Sequence, residues 1–301
     1  MRMILALALM LSLSFASPLT ARSAQAASLK VMTYNVWGIP FAAKHQIQRL
    51  IRIGKTLAAM DADIVAIEEA WQGFMTPSGE KETLLYRSKF PYYTKGPGRA
   101  HFLGIDSGLM IMSRFPIVET DKEYYRYCGG IDCRARKGMT FARIAVPEIG
   151  EVDVYATHTN AGAFSRVRVT QAGELRDFVQ RHSADHSRPI IIMGDMNASA
   201  TSESLTQLAR DLDLRDVHGE FAAQHSDLPQ DELDGYSSNP KYNANVPSDS
   251  TPECIDHIFF REASGAPLPI RVASASLEFK QKAYLGKPLS DHFAVKGELR
   301  F

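Results

Sequence analysis

Short apolar runs recur along the chain, and many of them stop at a polar side chain. LKVMTYNVWG (29–38), DIVAIEEAW (63–71), SGLMIMSR (107–114), MTFARIAV (139–146) and EVDVYATHT (151–159) form a first group. PIIIMGDMN (189–197), CIDHIFFR (254–261), IRVASASLEF (270–279) and DHFAVKGEL (291–299) follow. Their length and their β-branched and aromatic content mark them as strands. Helical periodicity occupies 45–60, 79–90, 166–182 and 202–211. Strands and helices are interspersed without strict alternation, which predicts a layered α/β fold on mixed sheets rather than a barrel or a Rossmann sheet. The pattern predicts 139–146 as the antiparallel neighbour of both 107–114 and 151–159. One polar stretch, 222–253, is rich in Ser, Asp, Asn and Pro and predicts a long functional loop.

Residues 1–26 stand apart. Arg2 precedes an apolar run over 4–13, and SAQA (23–26) ends in a small-x-small pattern, so this segment reads as a secretory signal cleaved near Ala26 or Ala27. The run is too short to favour a membrane span. A single catalytic domain is then expected over 27–301, in the periplasm or outside the cell. The 34 basic and 34 acidic residues cancel, and losing Arg2 and Arg22 with the leader gives a mature charge of −2 (0 minus 2). That balance disfavours a broad basic surface for nucleic acid. In an oxidising compartment Cys128 and Cys133 could bridge the CGGIDC turn, or all three cysteines, Cys254 included, could stay free thiols.

The polar strand ends carry the chemistry. Asn35 closes the first strand, Glu68 and Glu69 the second, and His158 with Asn160 the strand at 151–159. Asp195 and Asn197 close 189–197, Asp256 opens 254–261, and Asp291 with His292 opens the last strand. Taken singly, each such Asp or Asn is more often a cap or an Asx-turn. Jointly they form a set of hard oxygen donors suited to Mg²⁺ or Mn²⁺, with two histidines for proton transfer near neutral pH. Asp195 and Asn197, two apart on an extended chain, are expected to face the same side. Cation contact and hydrogen bonding at an oxyanion are what phosphate ester cleavage requires.

In this order TYNVWG, DIVAIEEAW, SGLMIMSRFPI, KGMTFARI, THTNA, GDMN, IDHIF and SDHFAV resemble the motifs of the metal-dependent endonuclease/exonuclease/phosphatase superfamily. That superfamily takes in pancreatic-type deoxyribonucleases, abasic-site endonucleases, inositol polyphosphate 5-phosphatases and neutral sphingomyelinases. The resemblance covers residues 29–301 and implies a four-layer α/β/β/α sandwich of two packed sheets. Lys137–Gly138 after a CGG turn, PECIDHIFF after the polar loop, and GLMIMSRFPI are similar to secreted bacterial neutral sphingomyelinases.

Carried over position by position, the resemblance gives Asn35 and Glu69 to a divalent metal, with Asp291 contributing. Glu68 stands where the family has Gln. Asp195 and Asn197 would orient the attacking water and bind phosphate. His292 would be the general base, its ring steered by Asp256, and His158 would donate to the phosphate. Asn160 and Lys137 would contact substrate. The implied reaction splits sphingomyelin into ceramide and phosphocholine at a membrane surface, by a monomer. Trp71, Phe74 and Met75, or Phe102 and Leu103, are candidate membrane-contacting residues. A nuclease or a phosphoinositide phosphatase of the same superfamily is the alternative. A non-catalytic binding protein is disfavoured because every expected site position is filled.

Overall fold

Most strands of this protein alternate between two apolar environments rather than between core and water. The structure, a computed structural model, describes residues 27–39, 43–72, 79–98, 105–135, 137–266 and 269–301. The expected leader (1–26), Phe74, Met75, Phe102 and Leu103 lie outside the described residues.

In chain order the elements begin with β1 (Ser28–Asn35), α1 (Gln46–Ala59), β2 (Ile64–Glu68), α2 (Glu80–Ser88), β3 (Tyr92–Lys95), β4 (Met110–Ser113), β5 (Ile117–Tyr124), β6 (Gly138–Val146) and β7 (Gly150–His158). There follow α3 (Ser165–Ser183), β8 (Ile190–Asp195), α4 (Glu203–Leu212), β9 (Arg215–Asp216), α5 (Val217–Gln224), α6 (Gln230–Leu233), β10 (Asp256–Arg261), β11 (Arg271–Glu278) and β12 (Ala294–Arg300). Two six-stranded sheets result, ordered β11-β12-β1-β2-β4-β3 and β5-β6-β7-β8-β10-β9.

The period of two decides which residues go where. Val31, Ile64 and Ala66 of the first sheet meet Val154, Ala156, Ile191 and Met193 of the second in the core between the sheets. Their neighbours in sequence point the other way. Met32, Val65 and Ile67 pack under Leu50, Ile53 and Leu57 of α1 and Leu84 of α2. Tyr155, Ile190 and Ile192 pack under Leu175 and Phe178 of α3 and Leu205 and Leu208 of α4. The layers therefore run helix, sheet, sheet, helix, the four-layer α/β/β/α sandwich expected from the sequence.

One predicted pairing is overturned. Residues 139–146 do lie antiparallel to β7, but their other neighbour is β5, while 107–114 contributes β4 to the opposite sheet between β2 and β3. The missed strand, β5, reads IVETDKEY and is largely exposed. Its charged faces carry no apolar period, as befits an edge strand, so the segment left no strand signal in the sequence. The polar stretch 222–253 is also less irregular than expected, since it holds the end of α5 and all of α6.

Register collects the polar strand ends on one rim. β1 and β2 run parallel with Asn35 opposite Glu68. β7 and β8 run parallel with His158 opposite Asp195, and antiparallel β10 sets Asp256 opposite the same Asp195. Gly194 makes the β7–β8 approach possible: at φ 151° it lies in a region side chains avoid, and a Cβ there would stand 1.9 Å from the Thr157 carbonyl oxygen. Gly194→Ala must force β8 away from β7, at a cost of ~2 kcal/mol or more. A thermal melt should show a midpoint several degrees lower, with activity falling alongside.

Candidate active site

Asp195 is the junction of the rim. Its Oδ2 accepts from Asn35 Nδ2 of the first sheet at 3.0 Å. The same oxygen lies 3.3 Å from His158 Nε2 and 3.9 Å from His292 Nε2. Asn35 Nδ2 also reaches Glu69 Oε1 at 3.2 Å, so both sheets are tied through one amide. Glu69, Asp195 and His292, separated by more than two hundred residues in the chain, thus belong to one connected cluster.

His292 donates from Nδ1 to Asp256 Oδ2 at 2.7 Å, which fixes the ring and leaves Nε2 facing Asp195. Burial alone would lower the affinity of this ring for a proton. The carboxylates of Asp256, Asp195 and Asp291 outweigh it and raise the pKa well above the ordinary histidine value. Asp195 shows the converse. Burial would raise it, but the charge and hydrogen bond of His158, then His292 and Lys137, hold it well below the carboxylate range. Glu68, fully buried and beside Asp256, is pushed well above its usual range by desolvation and by that charge, although Thr33 Oγ1 donates to it at 2.8 Å. A protonated Glu68 is neutral, and in that respect it matches the Gln it replaces.

The donor set fits a divalent cation on the side of Glu69. Glu69 Oε2 is buried with no hydrogen-bond partner. Asp291 is pushed up to about 7 by burial, against the pull of His292, and the negative charge of Glu69 adds to the rise. A hard cation between two such carboxylates would satisfy the first and lower the second. Asp195, Asp256 and His292 also place donor atoms within 4.8 Å of one another. In that group the Asp256–His292 hydrogen bond already engages one donor from each residue.

Other expected residues are present but differently employed. Asn35 points its NH₂ at the carboxylates while its oxygen accepts from the Trp37 amide at 3.0 Å. Asn197 is not on an extended strand beside Asp195. It adopts φ 47°, its amide nitrogen donates back to Asp195 Oδ1 at 2.9 Å, and its side chain donates to the Thr159 carbonyl. The strand ends at Asp195, and the Asx-turn that follows breaks the expected alternation. Lys137 lies behind His158 rather than at an open surface. Its ammonium lies 2.8 Å from each of His158 Nε2, the Thr159 carbonyl and Asp132 Oδ2, which encloses it. Asn160 likewise uses both ends of its amide, accepting from Gly129 N and donating to the Ala161 carbonyl. Trp71 is 3% exposed and lies against Gly108, where a Cβ would meet its ring at 2.8 Å, so it is no membrane-facing residue.

Three residues that sequence reasoning missed hold the rim together. Ser290 Oγ donates to the Asn35 carbonyl at 2.7 Å and accepts from the His292 amide at 3.2 Å. Ser237, from the polar stretch, accepts the Asp256 amide on its hydroxyl and the Phe293 amide on its carbonyl. Asp132 anchors Lys137 from the turn closed by a Cys128–Cys133 disulfide. Only the serine in SDHF lay close enough to a motif to be flagged. Replacing the carboxylate behind His292 tests the electrostatics directly. In Asp256→Asn the favoured partner of the imidazolium is gone, so the ring loses its proton at lower pH. A titration of the His292 ring by NMR should move down by at least about one unit.

Comparison with known proteins agrees with this architecture. The model of the endonuclease/exonuclease/phosphatase family matches residues 32–292. A sphingomyelinase of Mycobacterium tuberculosis is 27% identical over 273 residues, covering 87% of this chain and 50% of the relative. The chain thus spans about half the length of that mycobacterial protein. A phospholipase C of Staphylococcus aureus is 26% identical over 318 residues, covering 92% of this chain and 91% of the relative. Among solved structures, a Staphylococcus aureus beta toxin mutant with bound magnesium ions superposes with a TM-score of 0.70 at 21% identity, covering 90% of this chain and 99% of that one. With its motifs, its two sheets and its rim of polar strand ends accounted for, the chain belongs to the endonuclease/exonuclease/phosphatase family.

Proposed function

We propose that this protein is an exported, divalent-metal-dependent phosphodiesterase whose substrate is sphingomyelin, which it cleaves to ceramide and phosphocholine. The observation that supports it most is the junction at Asp195, where a carboxylate-rich side and a two-histidine side meet within 3.9 Å. Relatives named sphingomyelinase and phospholipase C favour a choline phospholipid over a nucleic acid or an inositol phosphate. The proposed catalytic domain is 27–301, following an export leader. Among the described residues no helix is long and apolar enough to cross a membrane.

In this reading Glu69 and Asp291 hold Mg²⁺ or Mn²⁺. Such an ion, when bound, offsets negative charge on the phosphodiester and on the departing oxygen. With a cation offsetting the Asp291 charge that helps to raise its pKa, His292 Nε2 would be free to take the proton from water, with Asp256 bearing the imidazolium that forms. Asp195 accepts a hydrogen bond from the same water and orients it toward phosphorus. His158, whose Nδ1 is buried without a partner, donates to a phosphate oxygen as charge builds there. Lys137 keeps the His158 ring in place and adds positive charge behind it. Asn35 and Asn197 shape the carboxylate side and the turn after Asp195.

His292→Ala should lower kcat by about 10²–10⁴ with an unchanged circular dichroism spectrum. A residual rate within tenfold of the parent would remove His292 from the role of base. The substrate is tested by supplying sphingomyelin vesicles, plasmid DNA and an inositol polyphosphate in parallel, each with Mg²⁺ and with EDTA. Release of phosphocholine from sphingomyelin alone, and only with the metal, is expected. Nicking of the plasmid without lipid hydrolysis would make the protein a nuclease instead.

A further inference from the structure

The turn between β5 and β6 is an apolar knob held against the active site. Tyr127 is 59% exposed, Ile131 78% and Phe164 40%. The Cys128–Cys133 disulfide closes the turn, with its Cα atoms 5.2 Å apart. Phe164 lies across Gly129 and Gly130, where added Cβ atoms would stand 2.5 and 3.0 Å from its ring. Glycine at these positions therefore lets the ring from the far side of β7 cover the turn. Exposed arginines, Arg126, Arg134 and Arg166, flank this surface in sequence; Arg126 lies 3.9 Å from Glu123, and the acid of the turn itself, Asp132, is engaged inward with Lys137.

The knob is also tied rigidly to the catalytic rim. Gly129 donates to Asn160 Oδ1 at 2.7 Å, and the Ala161 amide donates to Asp132 Oδ2 at 2.6 Å. Gln171 joins the Tyr127 carbonyl to the Asn160 amide, with both bonds at 2.8 Å. Lys137 links Asp132 to His158. Whatever the knob touches is thus held a few side chains from His158.

We propose that Tyr127, Ile131 and Phe164 dock the protein on a lipid bilayer of negative surface charge, delivering headgroups to the His158 side of the site. Two features of the surface point to that occupant. Aromatic and branched side chains beside arginines suit the interface between acyl chains and headgroups, and Arg134 and Arg166, with Asp132 turned inward, complement an anionic leaflet. The proposal deepens the lipid-cleaving function proposed above and places a contact on the disulfide turn.

The test separates binding from hydrolysis. The protein is floated with phosphatidylcholine vesicles, with and without about 20 mol % phosphatidylserine and with no sphingomyelin. The parent should bind, several-fold better with phosphatidylserine, and Ile131→Asp combined with Tyr127→Ser should bind about tenfold more weakly. Phosphocholine release from sphingomyelin dispersed in detergent micelles should stay unchanged in the variant, showing an intact site. Equal binding by parent and variant would overturn the proposal, as would no binding by either while micellar sphingomyelin is still cleaved. Loss in the variant of a parent dimer seen by sedimentation would overturn it too, by assigning the knob to a second copy of the chain. If neither protein cleaves sphingomyelin yet the difference in vesicle binding persists, the docking surface stands and the choice of substrate falls.

Discussion

The site depends on a buried carboxylate that belongs to neither of its neighbours alone. Asp195 ends a strand of the second sheet, yet Asn35, whose side-chain amide donates to it, ends a strand of the first. An ionised group in so dry a place is tolerated only when opposite charge and donors surround it. Here His158, His292, Lys137 and the Asn35 amide serve that purpose. The need to satisfy Asp195 therefore draws two sheets and three chain-distant segments to one point.

From that point the labour divides by side. On one side lie Glu69, with an unpartnered carboxylate oxygen, and Asp291, raised by burial, the chemistry of a hard cation. On the other lie imidazoles, one held by Asp256 and one beside Lys137, the chemistry of proton movement. Glu68 is buried beside Thr33, where desolvation and the charge of Asp256 disfavour its ionised form. The polar stretch over 222–253 braces the arrangement from outside, through Ser237 at Asp256 and Asn243 at the Ser290 carbonyl.

Much of this was legible in the chain because burial writes itself into period and position. Strands such as 189–195 are apolar on both faces, so a polar side chain at their end has few places to go except a rim. That reasoning put His158, Asp195, Asp256, His292 and the Glu68–Glu69 pair at strand ends, and the family resemblance chose Glu69 of the two acids. It failed where solvation or tertiary contact, not period, decides. β5 carries charge on exposed faces and left no strand signal. Trp71 looked like a loop aromatic free to meet a membrane, but Gly108, distant in sequence, provides the flat backbone that buries it. Asn197 broke the expected alternation because its own amide prefers to close a turn on Asp195. The direction of the Asn35 amide and the enclosure of Lys137 depend on partners, Trp37 N and Asp132, that no spacing rule connects to them.

The central claim is the division itself, a cation on the Glu69 side and proton transfer on the His292 side. Calorimetric titration of Mg²⁺ into the parent, Glu69→Gln and His292→Ala measures it without reference to any substrate. Glu69→Gln should weaken Mg²⁺ binding at least roughly tenfold, while His292→Ala should leave it near the parent value. Binding that survives Glu69→Gln and is lost in His292→Ala would place the cation among Asp195, Asp256 and His292 and contradict it.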